Sequence, residues 1–425
     1  MSRIVGIALV FVTFPVARAQ QLPPVRPLGP IERVSTEPMR AATTAVALSD
    51  GRVYVNDVAN RRILLFDSTL SHAQAVADST SVTAKAYGAR PGTLFAFRGD
   101  SALFVDPASG SMLVLGPDGK IDRVIAMPTR PGAPVAPFVF DVLAGVPGFD
   151  RRSRLVSTMP VAVRPLPAAP EPGKSYTQQS ADSMLIVAFD MVSRTIDTIG
   201  GVRVGSFRIT SAVDANGDVS SRTVTMNPLP VEDSWTVEHD GTVAIVRGHD
   251  FHVDRLGADG QWRAGPKLPF AWERFSDDQK TALIDSSIAA IKARRDSMAA
   301  ARARVGPIPA TAGGGGRSDR VVVAGAPGPA LIDGRPALSD LPDYTPAFRN
   351  PAARGDAEGN LWIKTTTLEH GQAVYDIVNA AGALVDRVQL PQFRTIAGFG
   401  PGVIYLAVED ANKVVHLERA SIKRK

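Results

Sequence analysis

The sequence predicts an all-β protein, and three observations carry that expectation. A two-strand phrase recurs along the chain. Each copy alternates apolar and polar residues with period two and turns on Gly, Asn or Asp, the pattern of antiparallel hairpins. Only one stretch has helical spacing. A hairpin unit of this kind cannot bury its own apolar faces and must stack against its copies, so the repeat predicts a β-propeller. Six copies at four strands each predict a six-bladed β-propeller with one inserted α-helix.

Taken in chain order, residues 1–19 stand outside that fold. Arg3 gives a positive start, Ile4 to Val16 an apolar run, and Ala17-Arg-Ala19 a small-x-small cleavage site. This is the pattern of a signal peptide, which leaves residues 20–425 for the propeller and predicts an exported protein, periplasmic or secreted. Next comes Pro30-Ile-Glu-Arg-Val-Ser-Thr36, an alternating strand with no hairpin partner of its own. The last copy of the repeat ends at Lys423-Arg424-Lys425 without an outer strand. The N-terminal strand is therefore expected to complete the last blade and remove its exposed edge.

The clearest copy is Arg52-Val-Tyr-Val-Asn-Asp-Val-Ala-Asn-Arg-Arg-Ile-Leu-Leu-Phe-Asp67. A second runs from Ser101-Ala-Leu-Phe-Val-Asp106 through Met112-Leu-Val-Leu115 to Ile121–Met127. The third is irregular, with Arg154-Leu-Val-Ser157, an insertion, then Met184–Asp190 and Thr195–Ile199. The fourth spans Gly241–Val246 and Phe251–Leu256 and closes at Leu268-Pro269. The fifth begins at Asn360-Leu-Trp-Ile-Lys364 and continues through Val374–Val378 to Leu384–Leu390. The sixth is Val403–Val408, a turn at Asp410-Ala-Asn-Lys413, and Val414–Leu417. Short strands ahead of the copies, such as Thr43 to Leu48 and Trp235 to Glu238, are expected to line a central channel. Gly398, Gly400 and Gly402 fit close backbone approach beside that channel.

Two insertions interrupt the repeat. Residues 161–183 carry Pro165, Pro167, Pro170 and Pro172 and predict an extended, Pro-rich loop. Residues 273–320 predict a helical insertion with a Gly-rich tether. Ser276 and Gln279 form a capping box that starts a helix. Ile284, Ile288, Ile291 and Met298 then follow at helical spacing as one apolar stripe, and Gly306-Pro307 ends it. The stripe suits a helix packed on the ring or lying over the channel as a lid, and it equally suits a partner-docking surface. Gly313 to Gly316 is the tether.

Composition narrows the function classes. At 44% apolar and 21% charged residues the chain is ordinary for a globular protein. The formal charge of +5 becomes +3 once Arg3 and Arg18 leave with the signal peptide. Positive residues are interspersed with acids, so nucleic acid is not an expected partner. With no Cys there is no disulfide, no Cys–zinc site and no Cys nucleophile. No later stretch reaches the ~20 apolar residues of a membrane span. A monomer is expected.

The phrase around Val53 to Asp67 resembles NHL-type repeats, and single blades are also similar to those of TolB-like propellers. From residue 30 to 425 the chain resembles the exported six-bladed β-propeller proteins of bacteria. Leu341-Pro-Asp-Tyr-Thr-Pro346, Asp356-Ala-Glu-Gly-Asn-Leu-Trp-Ile363 and Leu268-Pro-Phe270 carry part of that likeness. The resemblance implies fold and export and little about mechanism.

Gluconolactonase-like and paraoxonase-like propellers hold a channel calcium through Asn, Asp and Glu. The residues here that could supply such oxygens are Asn56, Asp57, Asp106, Glu238 and Asp356, with Asn60 set aside in a turn. Asn and Asp are also what these turns require. His249-Asp250-Phe251-His252 reads as a polar hairpin tip, because two His three apart in a hairpin do not converge. There is no Gly-x-Ser-x-Gly elbow and no phosphate loop after Gly316, so no catalytic residue and no cofactor is assigned. The reading is a ligand- or protein-binding module. The alternatives are a calcium-dependent, lactonase-like hydrolase using the channel, and an envelope scaffold protein.

Overall fold

The structure, a computed structural model, describes residues 22–128, 145–161, 171–305 and 330–422, with side chains left aside at 298–305 and 330–331. The signal-peptide segment 1–19, the Gly-rich tether, the basic tail and the side chain of Met298 lie outside the described residues.

The chain is mostly β and propeller-like, built from four-stranded antiparallel sheets that follow one another in sequence. Sheet I holds Ala42–Ala47, Val53–Asp57, Arg62–Phe66 and Ala73–Ala77. Sheet II holds Thr93–Phe97, Ser101–Asp106, Ser111–Leu115 and Ile121–Ala126. Sheet III holds Gly148–Phe149, Leu155–Pro160, Ser183–Phe189 and Ile196–Arg203. Sheet IV holds Ser234–Val237, Val243–Arg247, His252–Leu256 and Trp262–Lys267. Sheet V holds Phe348–Gly355, Leu361–Glu369, Gln372–Val378 and Leu384–Gln389, with Val25–Pro27 added in parallel at its edge. Sheet VI holds Arg394–Gly400, Val403–Glu409 and Val415–Ser421. Its outer strand is Ile31–Val34, paired antiparallel with Val415–Ser421, so the unpartnered N-terminal strand sits where the sequence placed it.

The turns explain why so many acids punctuate the repeat. Asp50 Oδ1 accepts the Arg52 N–H at 3.0 Å, and Asp240 Oδ1 accepts that of Thr242 at 2.9 Å. Each closes an Asx turn, and the following glycine, Gly51 or Gly241, sits at positive φ.

The apolar faces are buried between sheets. Tyr54, Ile63 and Leu65 of sheet I meet Leu94, Phe104 and Leu113 of sheet II. The same relation joins II to III, III to IV, IV to V and V to VI. Val53, Val55 and Leu64 of sheet I in turn pack on Tyr405, Ala407 and Leu417 of sheet VI. The first strands approach closely at glycines. A Cβ on Gly398 would lie 2.1 Å from the Ala45 carbonyl oxygen, and one on Gly355 would lie 2.9 Å from Glu238 Cα.

The two insertions form one unit, which the sequence reading did not foresee. Within 161–183, Ser175–Gln179 is a strand rather than loop, because its backbone pairs with Phe207–Val213. That strand turns at Asp214-Ala-Asn-Gly217 into Val219–Met226. Ala330–Gly334, which follows the second insertion, then pairs in parallel with Val219–Met226. The helix α1, Asp277–Val305, lies against Ala330–Gly334 and the Leu338–Asp340 turn. Its capping box is formed, with Gln279 Oε1 accepting the Ser276 N–H at 2.8 Å and Ser276 Oγ accepting the Gln279 N–H at 3.3 Å. Lys280–Asp343, Arg295–Asp333 and Arg335–Asp285 ion pairs tie it down.

Candidate functional site

The first strands of sheets I to VI line one shared cavity of about 400 Å³, a channel between them. Thr44–Ala47 and Thr236–His239 are among its walls, which agrees with the strands singled out in the sequence. No residue of α1 lines this cavity, so the helix is not its lid among the described residues. Ile284 is fully buried within the chain, Ile288 is half-buried and Ile291 is 40% exposed. The described part of the stripe thus runs from covered at Ile284 to open at Ile291.

The oxygen-bearing candidates for calcium do not converge. Asn56 joins sheets I and II, its Nδ2 donating to the Gly92 carbonyl at 2.8 Å and its Oδ1 accepting from the Tyr87 hydroxyl at 3.1 Å. Asp57 accepts the Arg40 and Ala41 N–H groups, Asn60 Nδ2 and Arg62 Nε at 2.7–3.1 Å. Asp106 accepts the Ala108 N–H and the Ser109 hydroxyl. Only Glu238 and Asp356 line the channel. Asp356 already accepts from the Glu358 and Asn360 backbones, Asn360 Nδ2 and Trp362 Nε1, at 2.8–3.0 Å. Glu238 is gripped by Arg255, Nη2 to Oε1 at 2.9 Å and Nε to both oxygens at 3.2 Å. Burial raises the Glu238 carboxyl above its ordinary value against the pull of Arg255. Among the described residues no three acids or histidines are placed to share a metal ion. The physical reason is that these side chains fold turns and join sheets. His252 sits between Asp250 and Asp254, at 2.7 and 3.0 Å, as part of a polar hairpin.

A second cavity of about 640 Å³ opens between sheets V and VI and shares Arg354 with the channel. It is built by a bulge. Phe348 pairs with Thr365 and Ala353 with Ile363, so five steps along one strand face two along the other. The surplus residues, around Pro351, re-aim the side chains that flank them. Sheet IV holds the bulge in place. Ser234 Oγ accepts the N–H groups of both Ala352 and Ala353 at 3.1 Å, and Asn350 Nδ2 donates to the Asp233 carbonyl at 2.7 Å. Asn350 Oδ1 is left buried without a hydrogen-bond partner.

Three cations line this cleft, Arg349, Arg354 and Lys364, and no carboxylate does. None of the three makes a hydrogen bond or ion pair with another described residue. Arg349 and Lys364 are exposed at the rim, while Arg354 is half-buried, its guanidinium crowded by protein atoms. That burial pushes the Arg354 guanidinium below its ordinary value, with Tyr375 partly opposing the shift. Burial likewise raises the Tyr375 hydroxyl to about 12, so it is a neutral donor at ordinary pH. Pro351, Leu368, Ala373 and Ile396 supply apolar wall.

The sequence reading missed this site. Its signal was Arg349-Asn-Pro-Ala-Ala-Arg354, a proline inside what the repeat requires to be a first strand.

No protein-family model matches the chain, and no curated protein matches it. Solved structures resemble it over nearly its whole length. Virginiamycin B lyase from Staphylococcus aureus is 10% identical, covers 91% of this chain and 99% of its own, and superposes with a TM-score of 0.38. Regucalcin from Agrobacterium tumefaciens, a calcium-binding protein, is 10% identical over 94% and 98% at a TM-score of 0.37. At these values the likeness says nothing of this chain's chemistry.

Proposed function

We propose that sheets I to VI are the blades of a closed six-bladed ring, completed by the N-terminal strand Ile31–Val34, and that the exported protein is a binding module. Its ligand is a small molecule held at the cleft between sheets V and VI, where that cleft meets the central channel. The observation that carries this reading is Arg354. A half-buried guanidinium with no counter-charge among the described residues costs stability, and it lines both cavities at once. The acids of the channel, by contrast, are occupied by Arg255 and by turn backbones. A cleft of this size, part apolar with a few convergent polar groups, is the usual form of a small-molecule site. The test is a melting-temperature screen of the full chain against anionic, neutral and cationic metabolites, with and without added calcium. A metabolite that raises the melting temperature in a dose-dependent way supports the binding module. A stabilisation by calcium alone, with every metabolite silent, would put the hydrolase reading in its place.

A further inference from the structure

We infer that the cleft between sheets V and VI selects an organic anion, a carboxylate or phosphate head carried on an apolar body. This rests on the binding reading above and names the chemistry of its ligand.

The head is specified by charge. Arg349, Arg354 and Lys364 bring three positive side chains to one cavity with no acid among its lining residues. Arginine forks match the two oxygens of a carboxylate or phosphate, and a charge-assisted bond of this kind is among the strongest available to a binding site. Because Arg354 is half-buried, an anion that reaches it is screened less by solvent than at the exposed Arg349 and Lys364. The Tyr375 hydroxyl makes no hydrogen bond to another described residue and is a ready donor to the same head. The body is specified by the remaining wall, where Pro351, Leu368 and Ile396 offer apolar surface. Leu368 is 62% exposed, a side chain that a bound apolar group would cover. The bulge leaves Asn350 Oδ1 buried and unsatisfied, a cost that native segments bear mainly where a site requires it.

The experiment is calorimetric titration of the full chain with 4-phenylbutyrate, phenyl phosphate and the neutral 4-phenyl-1-butanol. At least one anion should bind, and the alcohol should bind at least about tenfold more weakly, the scale of a lost charge-assisted hydrogen bond. Which anion binds more tightly identifies the head as carboxylate or phosphate. Arg354→Met should weaken the anion by about tenfold or more and leave the alcohol unchanged. Lys364→Met, at an exposed position, should weaken the anion several-fold and flatten its salt dependence, which keeps the test open if the first variant folds poorly. Equal affinity for anion and alcohol, or full affinity in both variants, overturns the inference. If both anions fail while the metabolite screen yields a neutral ligand, the anion assignment falls and the binding module stands. If that screen is also blank, both fall.

Discussion

The side-chain amide of Asn350 donates to the backbone carbonyl of Asp233 at 2.7 Å, so a residue of sheet V is fixed by the chain just ahead of sheet IV. One residue further on, Ser234 takes up two N–H groups of the same bulge. The candidate site in the V–VI cleft is therefore shaped from the far side of sheet V. A blade that carried only its own ladder would have no reason to bend there.

Ser234→Ala tests that dependence. Ser234 is fully buried, and Ala352 and Ala353 nearly so. Removing Oγ leaves two buried N–H groups without an acceptor, each worth about 1–3 kcal/mol. Chemical denaturation should show a loss of about 2–6 kcal/mol on that basis. Ser234→Thr, which keeps the oxygen, should recover most of it. An unchanged midpoint in the alanine variant would mean that the bulge is held by its own packing.

Arg354→Met should move stability the other way. The variant keeps side-chain length, removes a half-buried charge that has no partner among the described residues, and leaves no new polar group behind. Replacing a buried charge by a well-packed apolar side chain is commonly neutral or stabilising by about 1–4 kcal/mol. A rise of about 1–4 °C in melting temperature is expected for a chain of this size. A fall would show that Arg354 is structural, which would remove the main support for the site.

Asp376 predicts a pH dependence. Its side chain is 1% exposed, Oδ2 has no hydrogen-bond partner, and Arg387 Nε reaches only Oδ1, at 3.1 Å. Burial raises its carboxyl to about 6, against the pull of Arg387. The folded state thus binds a proton more tightly than the unfolded chain does. The resulting stability is complete below pH ~4 and is lost as pH rises through about 6. At 1.36 kcal/mol per pKa unit the difference amounts to about 3 kcal/mol. Asp376→Asn, which still offers Arg387 an oxygen, should flatten the unfolding free energy between pH 4 and 7 relative to the native chain. Parallel curves for the two proteins would contradict the shift.

Much of the fold was legible because each blade repeats the same local chemistry. Asp50-Gly51 and Asp240-Gly241 announce their turns, and the alternation around Val53 and Ile63 announces which faces are buried. The outer strand Ile31–Val34 could be placed because its alternation had no local partner. What stayed hidden depends on pairing between distant segments. Ser175–Gln179 and Ala330–Gly334 lie in one sheet although about 150 residues separate them, and neither carries a signal for the other. The calcium candidates are ambiguous in sequence for a related reason. Asn and Asp serve turns and metal sites with the same oxygens, and only their partners tell them apart. Arg354 was invisible because an arginine in a strand ordinarily reads as solvent-facing. It is the bulge at Pro351 that aims it inward.

Gly398 tests the contact that brings sheet VI against sheet I. In the Arg394–Gly400 strand its backbone approaches that of Ala42–Ala47 so closely that a Cβ would meet the Ala45 carbonyl oxygen at 2.1 Å and the carbonyl carbon at 2.9 Å. Both atoms are backbone, so no side-chain rotation relieves the overlap, and the two strands would have to part. Overpacking of this kind costs about 1–3 kcal/mol where side chains can yield, and Gly398→Ala should cost at least the upper end of that range. Gly201→Ala provides the control, since its nearest neighbour, the Met184 carbonyl oxygen, would sit at an ordinary 3.5 Å. The control should stay within ~1 kcal/mol of the native chain, the usual scale for a substitution that meets no clash. Hydrogen exchange adds a second readout. Gly398→Ala should accelerate exchange in Ala42–Ala47 and Arg394–Gly400 together while sheet III keeps its protection. Loss confined to sheet VI would mean that the ring is not closed through this pair of strands.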